Sequence, residues 1–392
     1  MNETPLFERS EYRTRLERTR SVMWDRGIET LLLTEPANLN YLSGYDGWSF
    51  YVQQGLIVPR SGEPVWVGRE MDANGARFTT ILPDSNIRSY SDDYVHSPTG
   101  KHPMDFVVDV IRDLGLEQDC IGVEMDGYYF SARAYERLQS GLPSATFRDA
   151  TLLVNQVRHV KSSRELKYMR QAASLADQAM QVGIEMIEPG VRESAVAAEI
   201  YRTLVTGSER FGGDYPAIVP LMPAGEHTGT PHLTWSDRRF KRGDPVIIEL
   251  AGCRHRYHAP LARTATVGEP RNEMAETAQI VIEGLNAAID AIRPGTTAQA
   301  VERAWRDAIA AHDIHKESRI GYAMGLGYPP DWGEHTTSLR PNDETRLEPD
   351  MTFHIIPGIW FDEYGVEISE TVRVTESGAE VLGETPQRLF TA

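Results

Sequence analysis

One phrase occurs twice in this chain, 105 residues apart, and no other feature constrains the fold as strongly. Met180-Gln-Val-Gly-Ile-Glu-Met-Ile-Glu-Pro-Gly190 closes a helical apolar pattern and leads into another helix; Gly284-Leu-Asn-Ala-Ala-Ile-Asp-Ala-Ile-Arg-Pro-Gly295 does the same. Pro-Gly just past the last apolar position stops a helix and turns the chain. An amphipathic helix must bury its apolar stripe against another layer. Strand-like apolar runs supply that layer after each copy: residues 245–250 and 263–267 after the first, 351–356 and 366–374 after the second. The repeat predicts one domain made by internal duplication, its strands curving into a sheet around a central pocket.

This domain is expected over residues 158–392, where Ser162 followed three residues later by Glu165 reads as a capping box opening a long helix. Residues 1–157 carry a different pattern. A charged helix over 9–27, stopped by Gly27, feeds the buried run Glu29-Thr-Leu-Leu-Leu-Thr34. Further strand signals follow at 55–59, 64–67 and 121–125, with a helix near 103–114. That alternation predicts a separate α/β domain. A chain of 392 residues is long enough for two cores.

Charge narrows the partners. Asp plus Glu number 57 against 40 Lys plus Arg, a formal charge of −17 that repels phosphate backbones and anionic lipid surfaces. No nucleic acid and no membrane partner is expected. No stretch approaches the roughly 20 apolar residues that span a bilayer. The first twenty residues alternate charges without the apolar core of an export signal, so a cytoplasmic location is expected. Cys120 and Cys253, the only cysteines, are too few for a disulfide framework or a thiolate metal site.

The phrase Thr34-Glu-Pro-Ala-Asn-Leu-Asn-Tyr-Leu-Ser-Gly44 resembles the strand and loop that open creatinases, prolidases and aminopeptidases P. Matching landmarks follow in order: Pro231-His232, Gly243-Asp244, Ala262-Arg-Thr264, Gly325-Leu-Gly327, Glu348-Pro-Asp-Met351, Pro357-Gly-Ile359 and Gly365-Val-Glu-Ile-Ser-Glu-Thr371. The resemblance implies a creatinase-like N-terminal α/β domain followed by a pita-bread domain. In the peptidase members two Asp, one His and two Glu hold a pair of divalent ions with hard ligands. Those positions fall here on Glu249, Pro260, Met324, Ile356 and Ser369. One carboxylate of five cannot hold such a centre, so no metal and no other cofactor is expected. Creatinase, which is similar in lacking metals, implies hydrolysis of a C–N bond in a small zwitterion with a histidine as acid/base. The family also implies a homodimer in which the N-terminal domain of one subunit caps the other's pocket.

By the same resemblance His232 is the candidate proton carrier, since an imidazole gives and takes protons near neutral pH. Glu249 lies in Val246-Ile-Ile-Glu-Leu-Ala251, where an unpaired charge is costly, so a cation should meet it: Arg263, or the substrate. Arg340 resembles the creatinase arginine that grips the substrate carboxylate in bidentate fashion, and Phe50 the aromatic sent in from the partner subunit. Creatinase's guanidinium-holding carboxylates fall on Ala262 and Ile356, which makes creatine a poor fit. The phrase Gly327-Tyr-Pro-Pro-Asp-Trp-Gly-Glu-His335 resembles a loop of ectoine hydrolases. That likeness implies ectoine, a cyclic amidinium with one carboxylate. Arg340 would take the carboxylate, while Trp332, Trp360 and Tyr364 face the ring. Asp331 and Glu367 complete the binding set. Glu249 would meet the amidinium, either holding it or attacking its carbon, and ring opening gives N-acetyl-2,4-diaminobutyrate. The rival readings are a hydrolase of another amidino or guanidino acid, a metal-dependent Xaa-Pro peptidase, and a non-catalytic binding protein.

Overall fold

A computed structural model describes residues 6–392; the first five residues of the N-terminal segment lie outside the described part. The chain divides between Arg158 and His159 into two compact units.

In the first unit, β1 (Thr30–Leu33), β2 (Gly55–Pro59), β3 (Val65–Arg69), β4 (Ile87–Tyr90), β5 (Cys120–Val123) and β6 (Thr146–Asp149) form one mixed sheet in the order β4-β3-β2-β1-β5-β6. Around it lie α1 (Arg9–Asp25), α2 (Pro36–Ser43), α3 (Ala73–Thr79), α4 (Pro103–Asp113), α5 (Ala132–Gly141) and α6 (Leu153–Val157). β1 is buried throughout, and three of its four residues are leucine. Its Leu32 packs with Ile57, Val67 and the α4 face Met104, Val107, Val108, Ile111. The phrase that opens with Thr34 has a physical reason. Glu124, just after β5, accepts hydrogen bonds from the Thr34 and Glu35 N–H groups (2.6 and 2.9 Å) and from Asn38 Nδ2 (2.6 Å). A buried carboxylate thus sits at the positive N-terminal end of α2, and Gly44 ends that helix at φ +86°.

The second unit repeats one element order. α7 (Ser163–Glu185) and α8 (Glu193–Thr206) precede β7 (Pro245–Arg254) and β8 (Tyr257–Thr266); α9 (Asn272–Ala291) and α10 (Ala298–Ala310) precede β9 (Gly321–Tyr328) and β10 (Asp331–Leu339). Each Pro-Gly turns the chain between paired helices, with Gly190 at φ +90° and Gly295 at +85°. The capping box is present: Ser162 Oγ accepts from the Glu165 N–H, and Glu165 from the Ser162 N–H. β11 (Thr352–Ile355), β12 (Gly358–Trp360), β13 (Gly365–Glu367), β14 (Glu370–Val374), β15 (Ala379–Val381) and β16 (Phe390–Thr391) follow. The sheet runs β15-β14-β11-β9-β8-β16, with β7 on β8 and β10 on β9, while β12 and β13 make a separate pair.

Three local outcomes differ from the sequence expectations. The helix expected to reach Gly27 ends at Asp25, with Gly27 in the left-handed turn beyond it. The run 366–374 breaks at Ile368-Ser369 into β13 and β14. The Gly- and Pro-rich phrase 327–335 is the tip of the β9–β10 hairpin, whose register shifts twice. Such bulges re-aim side chains, and the Gly and Pro residues hid the strands.

Strand alternation assigns the faces. Val246, Ile248 and Leu250 pack on the α7–α8 layer with Met180, Ile184, Ile200 and Leu204. Ala323, Phe353 and Ile355 pack on the α9–α10 layer with Val281, Leu285 and Trp305. Glu249, Tyr322 and His354 therefore point to the opposite face, away from both helix layers. The helices sit close: a Cβ on Gly252 would stand 1.9 Å from the Ala172 carbonyl oxygen, so only glycine lets α7 approach β7.

Candidate active site

Glu249 is held by backbone before its side chain does anything. Its N–H and C=O pair with Leu221 (2.9 and 2.8 Å), which covers the free edge of β7. The side chain is only 6% exposed. Register decides whether Arg263 can neutralise it: Glu249 stands opposite Ala262, and Arg263 opposite Ile248, on the other face. There the guanidinium meets Glu370 Oε1 at 2.7 Å and the carbonyls of Ala262, Ser369, Thr385 and Pro386. Arg263 is thus excluded as the partner of Glu249. Among the described residues the Glu249 carboxyl makes no hydrogen bond or ion pair. Burial pushes its pKa well above the usual range, and the charges of Glu367 and Asp331 push it further.

Glu367, at the end of β13, is fixed by reciprocal bonds with Thr264: its N–H donates to Thr264 Oγ1 (2.8 Å), which donates to its carbonyl (2.9 Å). Burial raises its carboxyl to about 7, with the Lys316 charge working against that rise. Lys316 is itself lowered to about 8 by burial. Its Nζ donates to the Gly358 carbonyl (2.9 Å) and stands 4.5 Å from the Trp360 ring centre. Asp331 opens β10. Burial disfavours its ionisation, yet hydrogen bonds from His335 and the Gly333 N–H hold it below the usual range. Two carboxyls pushed up beside one held down give the unequal titration that acid/base chemistry uses.

An aromatic and polar chain walls the same face. Trp332, fully buried, donates from Nε1 to Tyr322 Oη (2.8 Å); Tyr322 Oη meets His354 Nδ1 (3.0 Å); His354 Nε2 meets Ser369 Oγ (2.8 Å), which accepts from the Ala262 N–H (2.7 Å). Burial lowers His354 to about 3, so the ring is neutral. The Arg319 guanidinium lies over the Tyr322 ring, 4.6 Å from its centre. Tyr322 and His354 each stand two residues before an altered ligand position, Met324 and Ile356. On a strand that spacing means the same face, so this signal was readable. Arg319 and Lys316 come from the irregular stretch before β9 and had no such signal.

The structure brings Glu249, Glu367, Asp331 and Trp332 together and leaves His232, Arg340 and Tyr364 elsewhere in this unit. His232 is exposed, at φ +67° in a loop tied beside β7 through the Met222–Leu233 backbone bond, and its ring contacts neither carboxylate. Arg340 is exposed just past the end of β10; Arg319, from the stretch leading into β9, is the guanidinium that reaches the aromatic wall. Tyr364 belongs to the α9 core, its hydroxyl 3.0 Å from Thr277 Oγ1, because β13 packs on that helix. Phe50 lies in the first unit, against Trp48 and Tyr129 at 4.8 and 5.4 Å. Trp360 is near the site, but the Lys316 ammonium occupies its face. A separate cleft of about 950 Å³, lined by Arg170, Asp177 and Arg388 among others, includes none of Glu249, Glu367 and Asp331.

The donor set does not fit the peptidases' metal pair. Pro260, Met324 and Ile356 carry no hard ligand, Ser369 is engaged by His354 and Ala262, and only Glu249 remains. Among the described residues no group of three or more His, Cys, Asp or Glu is arranged to hold a metal ion. No helix among them is long and apolar enough to cross a membrane.

Residues 167–376 match the family model of metallopeptidase family M24, and residues 15–160 that of the creatinase/prolidase N-terminal domain. The chain is 44% identical to an ectoine hydrolase of Halomonas elongata over 98% of each sequence. It is 43% identical, again over 98% of each, to a Sinorhizobium fredii protein described as an uncharacterized hydrolase/peptidase. A solved dipeptidase of Mycobacterium ulcerans superposes with a TM-score of 0.81 at 26% identity, covering 98% of this chain and 99% of that one. The pita-bread unit, the creatinase-type first unit and these likenesses agree: the chain is a hydrolase that belongs to metallopeptidase family M24 and carries the creatinase/prolidase N-terminal domain.

Proposed function

We propose that this chain opens the cyclic amidine ring of ectoine by hydrolysis, without a metal ion, to give N-acetyl-2,4-diaminobutyrate. The observation that carries the reading is the Glu249 carboxyl, raised by burial and then by the charges of Glu367 and Asp331, and met by no cation among the described residues. Such a site gains most from a cation brought by the substrate. An amidinium fits: it is delocalised and flat, with N–H groups for carboxylates. Its carboxylate would go to Arg319 rather than to Arg340. The 44% identity to an ectoine hydrolase supports the same substrate.

The chemistry balances with carboxyl groups alone. Water adds its oxygen to the carbon between the two ring nitrogens, and a carboxylate, Glu249 or Glu367, takes the water proton. That proton passes to one nitrogen, the C–N bond breaks, and the remaining hydroxyl proton follows to the same nitrogen as the carbonyl forms, so an amide and an ammonium remain and the single positive charge is conserved. A carboxyl at about 7 suits both halves of the transfer. Attack by Glu249 itself, with a later hydrolysis of the acyl adduct, is the alternative sequence; mass spectrometry of rapidly quenched enzyme separates the two. His232, at the exposed loop, would exchange protons with solvent. Phe50 would act in a homodimer as the cap of the partner subunit's pocket, and a gel-filtration mass near that of one chain would remove that part.

Protonation gives a checkable sign. Glu367 is raised above the unfolded-chain value of about 4.3, so the folded protein binds more protons than the unfolded one between that value and about 7. The free protein therefore loses stability as pH rises through this window, while the ionised form that binds a cation gains population. Ectoine affinity should rise from pH 5.5 to 8 with proton release on binding, read by calorimetry in two buffers of different ionisation enthalpy. Affinity falling with pH would contradict the assignment. The function itself is tested by proton NMR of ectoine with enzyme: new N-acetyl signals support it, and an unchanged spectrum counts against it.

A further inference from the structure

We propose that Tyr322 is the proton donor to the leaving ring nitrogen, and that His354 and Ser369 are positioning residues that aim its hydroxyl into the pocket. The proposal rests on ring opening at this site and names the group through which the carboxyl proton travels.

Counting donors along the chain leads to it. Trp332 Nε1 and the Ala262 N–H are fixed donors at the two ends, and neither can accept. Between them stand Tyr322, His354 and Ser369, with contacts of 3.0 and 2.8 Å. A neutral imidazole contributes one N–H and each hydroxyl one O–H, so three hydrogens serve two links. One hydroxyl must therefore point out of the chain. If His354 carries its proton on Nε2, the outward hydroxyl is that of Ser369, which is 0% exposed. If it carries it on Nδ1, Ser369 donates to Nε2, Nδ1–H donates to Tyr322 Oη, and Tyr322 donates outward. Tyr322 is only partly buried and lies within electrostatic reach of Glu249 and Asp331. A buried hydroxyl without an acceptor is costly, so the second arrangement is the stable one.

The step follows without a new co-reactant. The Tyr322 O–H proton moves to the ring nitrogen as the C–N bond breaks, and the carboxyl that took the water proton returns it to Tyr322 Oη. This step carries the first of the water's two protons to nitrogen; the second leaves the hydroxyl as the carbonyl forms and completes the ammonium. Ser369 occupies the position where the peptidases place their last metal-binding glutamate; here it sets a tautomer.

Imidazole ¹⁵N NMR of the substrate-free enzyme, with His354 assigned by its loss in His354→Gln, should show the Nδ1–H tautomer; Nε2–H would overturn the proposal whatever the substrate is. Tyr322→Phe should lower kcat for ectoine by about 10²- to 10³-fold with KM changed less than about threefold. Ser369→Ala should weaken the Nδ1–H preference and lower kcat about tenfold, with Ser369→Thr restoring both. Unchanged kcat in Tyr322→Phe, folded by its melting curve, would overturn the donor role. Wild type inert toward ectoine but showing Nδ1–H would sink the substrate reading and leave the hydrogen-bond order standing.

Discussion

Glu249→Gln is expected to lower kcat/KM for ectoine by about 10³-fold or more while leaving the protein at least as stable as wild type. The amide keeps the volume and loses the charge. A charge-assisted contact to the substrate is worth about 1.5–3 kcal/mol, and removal of a general base costs about 10²–10⁴ in rate. Stability moves the other way because the free protein holds this carboxyl buried, raised and without a cation among the described residues; an amide has no charge to desolvate. Steady-state kinetics and thermal unfolding on the same preparation measure both. A variant within about tenfold of wild type would show that the carboxyl is a bystander, and a large drop in melting temperature would show it to be structural.

Arg263→Met is expected to produce the reverse split. This guanidinium is 0% exposed, pairs with Glu370 at 2.7 Å and satisfies four carbonyls between β8, β13–β14 and the C-terminal segment. Removing one member of a buried pair leaves an uncompensated charge and costs about 3–5 kcal/mol. Urea unfolding should register that loss, and Arg263→Met with Glu370→Met should recover most of it. A loss under about 1 kcal/mol would mean that the pair is solvated.

The two residues show what a sequence can and cannot carry. Both were readable as partners for one another's charge, since Glu249 lies in an apolar strand and Arg263 follows fourteen residues later. What separates them is register: Glu249 opposite Ala262 places Arg263 on the far face, and a one-residue slip would reverse that. Landmark spacing put Glu249 and Glu367 on strands, and both do lie on strands, β7 and β13. It could not orient His232, because a loop at φ +67° aims its side chain by conformation rather than by period. Arg340 and Arg319 flank the same hairpin, and only the fold tells which one lies over Tyr322. The repeated Pro-Gly and the Ser162–Glu165 cap were legible because their information is local.

The most direct test of the central claim uses enzyme dialysed against chelator until metal analysis shows far less than one ion per chain, assayed by NMR with ectoine and with an Xaa-Pro dipeptide. Ring opening is expected at the undialysed rate, with no stimulation by added zinc, manganese or cobalt and no peptide cleavage. Loss of ectoine turnover restored by a divalent ion, or peptide cleavage that appears with it, would contradict the account.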